Sequence, residues 1–577
     1  VGAFDPTKAR TGTVSLSGSS GRDANVSVDG GDNKDNVVGG AVQNFTTEGI
    51  QEFVVQTQNF LPDTGRSAGG NITVVTKSGT NELHGSFVIF ERNDRFNARD
   101  NFNPEFDRVT GDGPFAKQPF DRQNIAGSLG FPIIKDKFFF FGAAEYTREN
   151  ISVVISPNSV RELKALDTFA RMGAIPGVSS VAALSTVPTP FRDTQFQLRA
   201  DYRFNDRHQA YARYGHQTNK LVNDQIPSNA DITSSARTTN ELRSILLSDT
   251  YTISPSIVNV FNFQFTKFDN RIVENTNAPL TLVFPSALFG RNPNVPQTTF
   301  QNKFQFKEAV SVAKGRHSLK FGVDFVYVPV LAGTFDFNSV PEVDFNTDPS
   351  QILASGGTLS DINVVDLVIL SDGNSRVDQV VKQFSFYGQD SFRVNNKFTF
   401  NYGVRYDADF GFYDPKNGSY ENNRGVQALR RIGIFSPNGG VPENDKNNFS
   451  PRIGFAYDPT GRGKAVLRAS YGLFYDQIFT NVQFFALQQT GDNIYTSVLF
   501  DPIRFGIDPL PRQTGSVPNV PANGTLRLID PNIVTPYSQQ SSINFQYEIK
   551  PGLILETQYI HILGLHEFAN LELNSRI

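Results

Sequence analysis

The chain has no cysteine, no tryptophan and a single methionine among its 577 residues. The missing cysteine excludes a disulfide scaffold and any thiolate metal site, and it suits an envelope protein that must cross an oxidising periplasm. Long apolar runs are also missing. No stretch approaches the roughly 18 consecutive apolar residues that a membrane helix needs. Hydrophobic residues make up only 38%, with a mean hydropathy of −0.31. These absences exclude a helical membrane protein but not a membrane barrel, whose strands alternate lipid-facing and lumen-facing residues. A marked excess of one charge is lacking too, and a net charge of −4 gives no electrostatic reason to expect nucleic acid. The chain opens at Val1 with neither a basic n-region nor an apolar h-region, so a signal peptide is expected to lie outside it.

What is present is aromatic and turn-rich: 52 Phe, 18 Tyr, 47 Gly and 32 Pro, which suits a β protein. Past residue 84 one plan repeats: a strictly alternating strand of about ten residues, a short polar turn, and a second such strand. Phe196, Leu198, Ala200, Tyr202 and Phe204 share one face, against Gln195, Gln197, Arg199, Asp201 and Arg203 on the other. The turn 205–208 follows. The same alternation recurs around Phe261–Thr266, Leu319–Tyr327 and Phe398–Asp407, with short turns at 134–137, 254–256, 313–317, 395–397, 459–464 and 550–552. Long segments alternate with these turns, near 149–194, 218–242, 269–302, 330–380, 411–449 and 476–538.

A soluble sandwich also alternates, because one face of each sheet is wet. Strand length suited to a tilted bilayer crossing, polar rows suited to a wet lumen, and long loops gathered at one end favour a membrane barrel. Counting from His84–Arg92 to Leu553–His561 gives about fifteen strands. Large transporters close with roughly 22. The chain is therefore expected to stop mid-barrel, since open edges are not tolerated in lipid.

Before His84 the texture changes to small, polar and Gly-rich segments with short strands at Glu52–Thr57 and Ile72–Thr76. Here IQEFVVQT (50–57) and GRSAGGNITVVTKSGTNELHGS (65–86) resemble the end of a TonB-dependent outer-membrane receptor plug leading into its first barrel strand. Segments 122–148, 384–407, 449–476 and 536–560 resemble the Oar-like branch of that family, in the family's order. The resemblance covers nearly the whole chain. It implies a mostly β fold: a small N-terminal mixed α/β plug domain (1–83, incomplete at its start) inside an antiparallel transmembrane β-barrel (84–577, partial). It also implies import of a solute across the outer membrane, with the TonB–ExbB–ExbD energy-coupling complex and outer-membrane lipid as partners. No TonB box is identifiable. Within the plug-like segments the resemblance points to Glu52, Arg66, Lys77 and Asn81. Across the lumen, Arg199, Asp201, Arg203, Lys320, Asp324, Arg405 and Asp407 can pair with the plug through hydrated ion pairs of modest energy, or simply make a polar lumen. Tyr406 and Tyr475, near strand ends, fit an interfacial girdle or ordinary strand positions.

Other motifs have ordinary readings. GRSAG (65–69) matches the nucleophile-elbow pattern but is followed by a strand-like ITVVTK instead of a helix, so Ser67 is read as part of a turn. The run 29–36 is rich in oxygen ligands but lacks the EF-hand spacing, and reads as a solvated acidic loop. The six histidines show no metal-ligand spacing. No cofactor is expected, and no catalytic residue. A passive outer-membrane channel or surface adhesin is the alternative to a gated importer. An open channel has no use for the plug-like first 83 residues, and a hydrolase would rest on GRSAG alone.

Overall fold

The computed structural model describes residues 15, 16, 18, 19, 21–58, 60–98, 119–500, 526–569 and 571. The first fourteen residues of the expected plug and residues 501–525 of the long segment 476–538 lie outside them.

Alternation produces one large antiparallel sheet. Its strands, in chain order and each paired with its neighbour, begin with β5 (His84–Asn93), β6 (Phe120–Ile134) and β7 (Phe138–Val154). They continue with Phe191–Asn205, His208–Asp224, Ala236–Ser254, Ile257–Glu274, Gln297–Lys314, His317–Phe335 and Val377–Arg393. Phe398–Phe410, Asn448–Tyr457, Ala465–Tyr475, Tyr537–Lys550 and Leu553–Leu565 complete the series. The seven short turns fall where the polar clusters placed them. One face is apolar and exposed, with Phe321 and Val323 at 50% and 43%. On the opposite face of that strand Asp324, Val326 and Val328 are buried. The apolar face is the one that lipid would cover.

Most of the strands are longer than the ten or so residues expected, although His84–Asn93 and Asn448–Tyr457 have ten each. Those between Ala236 and Phe335 run to 18 or 19 residues, about 60 Å at 3.4 Å per residue, well beyond the roughly 30 Å hydrocarbon layer. Pairing does not stop at the lipid boundary, because the backbone ladder is equally satisfied above it. The expected long segment 218–242 therefore shrinks to 225–235.

The other long segments are folded. Helix α1 (Pro157–Arg171) starts at Ser156, whose hydroxyl accepts from the Ser159 amide, with proline in the first turn, where its missing N–H is not needed. Its Leu163, Leu166 and Phe169 pack with Leu282, Phe289, Val343 and Val368, contributed by a separate six-stranded sheet built from strands at Thr281–Val283, Leu288–Gly290, Glu342–Phe345, Val365–Gly373, Gln489–Thr490 and Asn493–Phe500.

The N-terminal unit is a four-stranded sheet of order β2-β1-β4-β3, with β1 at Ala24–Val28, β2 at Gly31–Asp32, β3 at Ile50–Gln56 and β4 at Gly70–Thr76. β1 runs parallel to β4. Its helical part, among the described residues, is one 3₁₀ turn at Thr47–Gly49. The unit reaches buried side chains on one face of wall strands from Phe191–Asn205 (Gln197 to the Gly49 carbonyl) through Tyr537–Lys550 (Ser538 and Gln540 to the Ala68 carbonyl). So small a unit can touch strands that far apart in order only if the large sheet curls around it.

Candidate functional site

The contact between the N-terminal unit and the concave face of the wall is a heavily charged buried region. Its centre is the run 29–36. This run is buried, not solvated, because wall side chains take the place of water. Asp29, with φ +51°, accepts from the Thr76 amide and hydroxyl at 2.8 Å each. The Arg213 guanidinium is 2.9 Å away and that of Arg199 3.7 Å. Arg199 also holds Asp201 at 2.8 Å and lies 3.9 Å over the Tyr211 ring. Asp32 accepts from Lys303 Nζ at 2.9 Å, with Arg66 at 3.9 Å. Burial raises the Asp32 pKa, but Lys303 and Arg66 outweigh it and hold the carboxyl at about 2.

Arg66, in the left-handed region at φ +55°, spans unit and wall. It reaches Asp324 at 3.3 Å and Gln383 at 3.0 Å. Burial works against its charge, but Asp324 and Asp32 together raise its pKa. Lys320 meets Asp63 at 2.6 Å. Arg405 pairs with Asp407 at 2.8 Å and donates to the Pro62 carbonyl at 3.3 Å. Gly65 permits this approach, since a Cβ there would lie 1.9 Å from Arg405 Nε. Arg452 donates to the carbonyls of Phe60, Leu61 and Thr64 at 2.7–2.9 Å, between the Phe60 and Phe474 rings.

Of the residues singled out in the sequence, Arg66, Arg199, Asp201, Lys320, Asp324, Arg405 and Asp407 come together here. Glu52 lies exposed on β3. Lys77 is half-buried, its amide donating to the Gly49 carbonyl. Asn81 is exposed and exchanges hydrogen bonds with Asp136 at the first short turn. Arg203 is exposed at the short-turn end. Asp29 and Asp32 with their partners Arg213 and Lys303, and Asp63 and Arg452 beside them, were not legible as a set. Their only signal was an acidic run matched by isolated basic residues on inward strand positions. Ser67 is fully buried, bonded to the Asp23 and Gly70 backbone, which leaves no room for a nucleophile. Among the described residues no cluster of three His, Cys, Asp or Glu side chains could hold a metal.

Toward the long-loop end the apex of the unit is covered. The Thr480 and Asn481 amides donate to the Asn36 and Val37 carbonyls at 3.1 and 3.0 Å. Val37 and Val38 pack beneath Phe412, Tyr420, Phe484 and Leu487. Lys34 reaches Asp476 at 3.2 Å.

The sequence matches the family described as Outer membrane beta barrel domain over residues 75–167 and 155–576. The chain belongs to this family. The protein is therefore a β-barrel of the outer membrane of a Gram-negative bacterium. It is similar to the TonB-dependent transporter Oar of Myxococcus xanthus, with 23% identity over 95% of this chain and 57% of that protein. Among solved structures it resembles the outer membrane transporter YddB of Escherichia coli, with a TM-score of 0.63, 12% identity, and coverage of 96% of this chain and 63% of that one. The siderophore receptor PirA of Acinetobacter baumannii aligns with a TM-score of 0.55 and 12% identity, over 95% of this chain and 64% of that one. The chain thus spans less than two-thirds of the length of these relatives. In an outer-membrane barrel the short turns face the periplasm and the long loops the exterior, so the covered apex of the N-terminal unit points outward.

Proposed function

We propose that this chain forms the gate and the surrounding wall of an importer for a solute taken up across the outer membrane, with residues 1–83 as a plug. The observation that carries this reading is the buried, charged contact between the unit and strand after strand of the wall. Desolvation of each ion offsets much of its attraction, so such a contact holds one geometry tightly without the large net stability of an apolar core. That is what a plug requires if it is to be seated at rest and displaced under force. Similarity to a TonB-dependent transporter supports the TonB complex as the source of that force. The solute would arrive at the long-loop end, where segment 480–487 must lift from the apex before the plug is reached.

Deleting residues 1–83 from the full-length protein tests the gate. Planar bilayers should then show large, nonspecific conductance that the intact protein lacks. Unchanged conductance would sink the plug assignment.

A further inference from the structure

The two ends of the wall treat their basic residues differently. At the long-loop end several arginines are matched with carboxylates: Arg171 with Asp167 at 2.6 Å, Arg291 with Glu274 at 3.4 Å, Arg376 with Asp378 at 2.8 Å and Arg430 with Glu421 at 2.6 Å. At the short-turn end the lysines and arginines of the turns are not so matched. Six of the seven turns carry Lys or Arg, all but 254–257. Lys135, Lys137, Arg316, Lys397, Arg462 and Lys464 are all exposed, and among the described residues none of them forms an ion pair. The acidic residues of these turns are largely engaged elsewhere. Asp458 accepts from the Thr460 and Gly463 amides at 3.0 and 2.7 Å, and Asp136 bonds with Asn81.

Next to these turns the lipid-facing surface carries clusters of aromatic rings. Phe138 meets Tyr202 at 5.7 Å, Tyr202 meets Phe204 at 4.8 Å, Phe204 stacks on His208 at 4.5 Å, and His208 meets Tyr251 at 5.4 Å. Further round, His317 stacks on Phe392 at 4.4 Å and Phe398 on Phe455 at 5.7 Å. Such rings sit at headgroup level. The unpaired cations therefore lie at or just beyond the headgroups of the periplasmic leaflet. Lys137 joins the two features, its ammonium 5.6 Å over the Tyr202 ring. Cations held beside a bilayer without an ion pair to a protein carboxylate are complementary to lipid phosphates, and anionic headgroups attract them most.

We propose that the short turns form a basic collar that binds anionic phospholipid headgroups of the periplasmic leaflet, fixing the depth of the barrel and gathering such lipids around it. This goes beyond the import reading and does not depend on it.

The test reconstitutes the protein in phosphatidylcholine bilayers and compares spin-labelled phosphatidylglycerol with spin-labelled phosphatidylcholine as boundary-lipid probes. At low salt the restricted fraction should favour phosphatidylglycerol by about twofold or more. That preference should fall to about unity in 1 M salt, where the Debye length is near 3 Å. It should fall equally when Lys135→Gln, Lys137→Gln, Arg316→Gln, Lys397→Gln, Arg462→Gln and Lys464→Gln are combined. Arg376→Gln at the far end should leave it unchanged. If the combined variant does not fold, the salt series on the unaltered protein decides alone. Equal restriction of both lipids at low salt overturns the proposal. So does loss of the preference to inorganic phosphate at constant ionic strength, which would mark a free-phosphate site. Displacement of the labelled lipid by soluble anionic cell-wall fragments overturns it as well.

Discussion

At the scale of single residues, Asp32 shows how the contact between the N-terminal unit and the wall is held. Two cations neutralise it, Lys303 from the wall at 2.9 Å and Arg66 from its own unit at 3.9 Å. Removing one partner of a buried pair strands the other charge, typically at 3–5 kcal/mol; with Arg66 still in place, Lys303→Met should cost on the order of 3 kcal/mol of docking. Adding Asp32→Asn should recover much of it, because the stranded charge goes too. Hydrogen exchange of the β1 and β2 amides measures both; equal exchange in the two variants would contradict the pairing. Acid acts on the same carboxylate. With a folded value of about 2 against roughly 3.9 unfolded, Asp32 contributes fully above pH ~4, and its contribution is lost as pH falls through 2.

Asp23 has the opposite sign. Burial first, then the nearby Asp476 carboxylate, raises it to about 7. The folded state keeps a proton that the unfolded chain releases near pH 4, so this contribution declines between about pH 4 and 7. The two aspartates of one small unit thus favour its seated state most in mildly acidic conditions, where Asp32 is charged and Asp23 is not.

At the scale of elements, the long loops are the main departure from what alternation suggested. α1 carries Leu163 and Leu166 into a core formed with strands from several other loops. Leu163→Ala should cost about 2–5 kcal/mol, chiefly in that core, which the wall enters only at the end of Phe138–Val154, where Val153 pairs with Val187 of the loop strand Thr186–Pro188. Limited proteolysis should open 155–190 and 336–376 while the heat-modifiable mobility of the folded barrel stays unchanged. Loss of both together would mean that loops and wall fold as one unit. The wall hairpins were legible because a period of two and a polar turn are local properties of the chain. The loop sheet was not, because its strands of two to nine residues come from segments too short for periodicity to register. They pair across long stretches of chain, as Thr281–Val283 does with Glu342–Phe345.

At the scale of the whole molecule, the wall and the proposed plug are held by different forces. The ladders of the wall run between its own strands and, at Ser152–Val154, to the loop strand Thr186–Pro188, whereas the N-terminal unit is attached to the wall mostly through side-chain ion pairs and hydrogen bonds. The protein lacking residues 1–83 should therefore keep its β-sheet circular dichroism and its resistance to unfolding in detergent. A collapse of the sheet on deletion would show that the plug is part of the wall's own stability. The amino-acid sequence alone determined the hairpins, the faces of the strands and the membrane they suit, because each is written in neighbouring residues. Which aspartate meets which arginine was decided only by the curling of the sheet. That curl brings the buried run 29–36 against inward positions such as Arg213 and Lys303, nearly two hundred residues or more further along the chain. Only when the wall encloses the run does water leave it, and an acidic loop becomes a buried ion-paired contact.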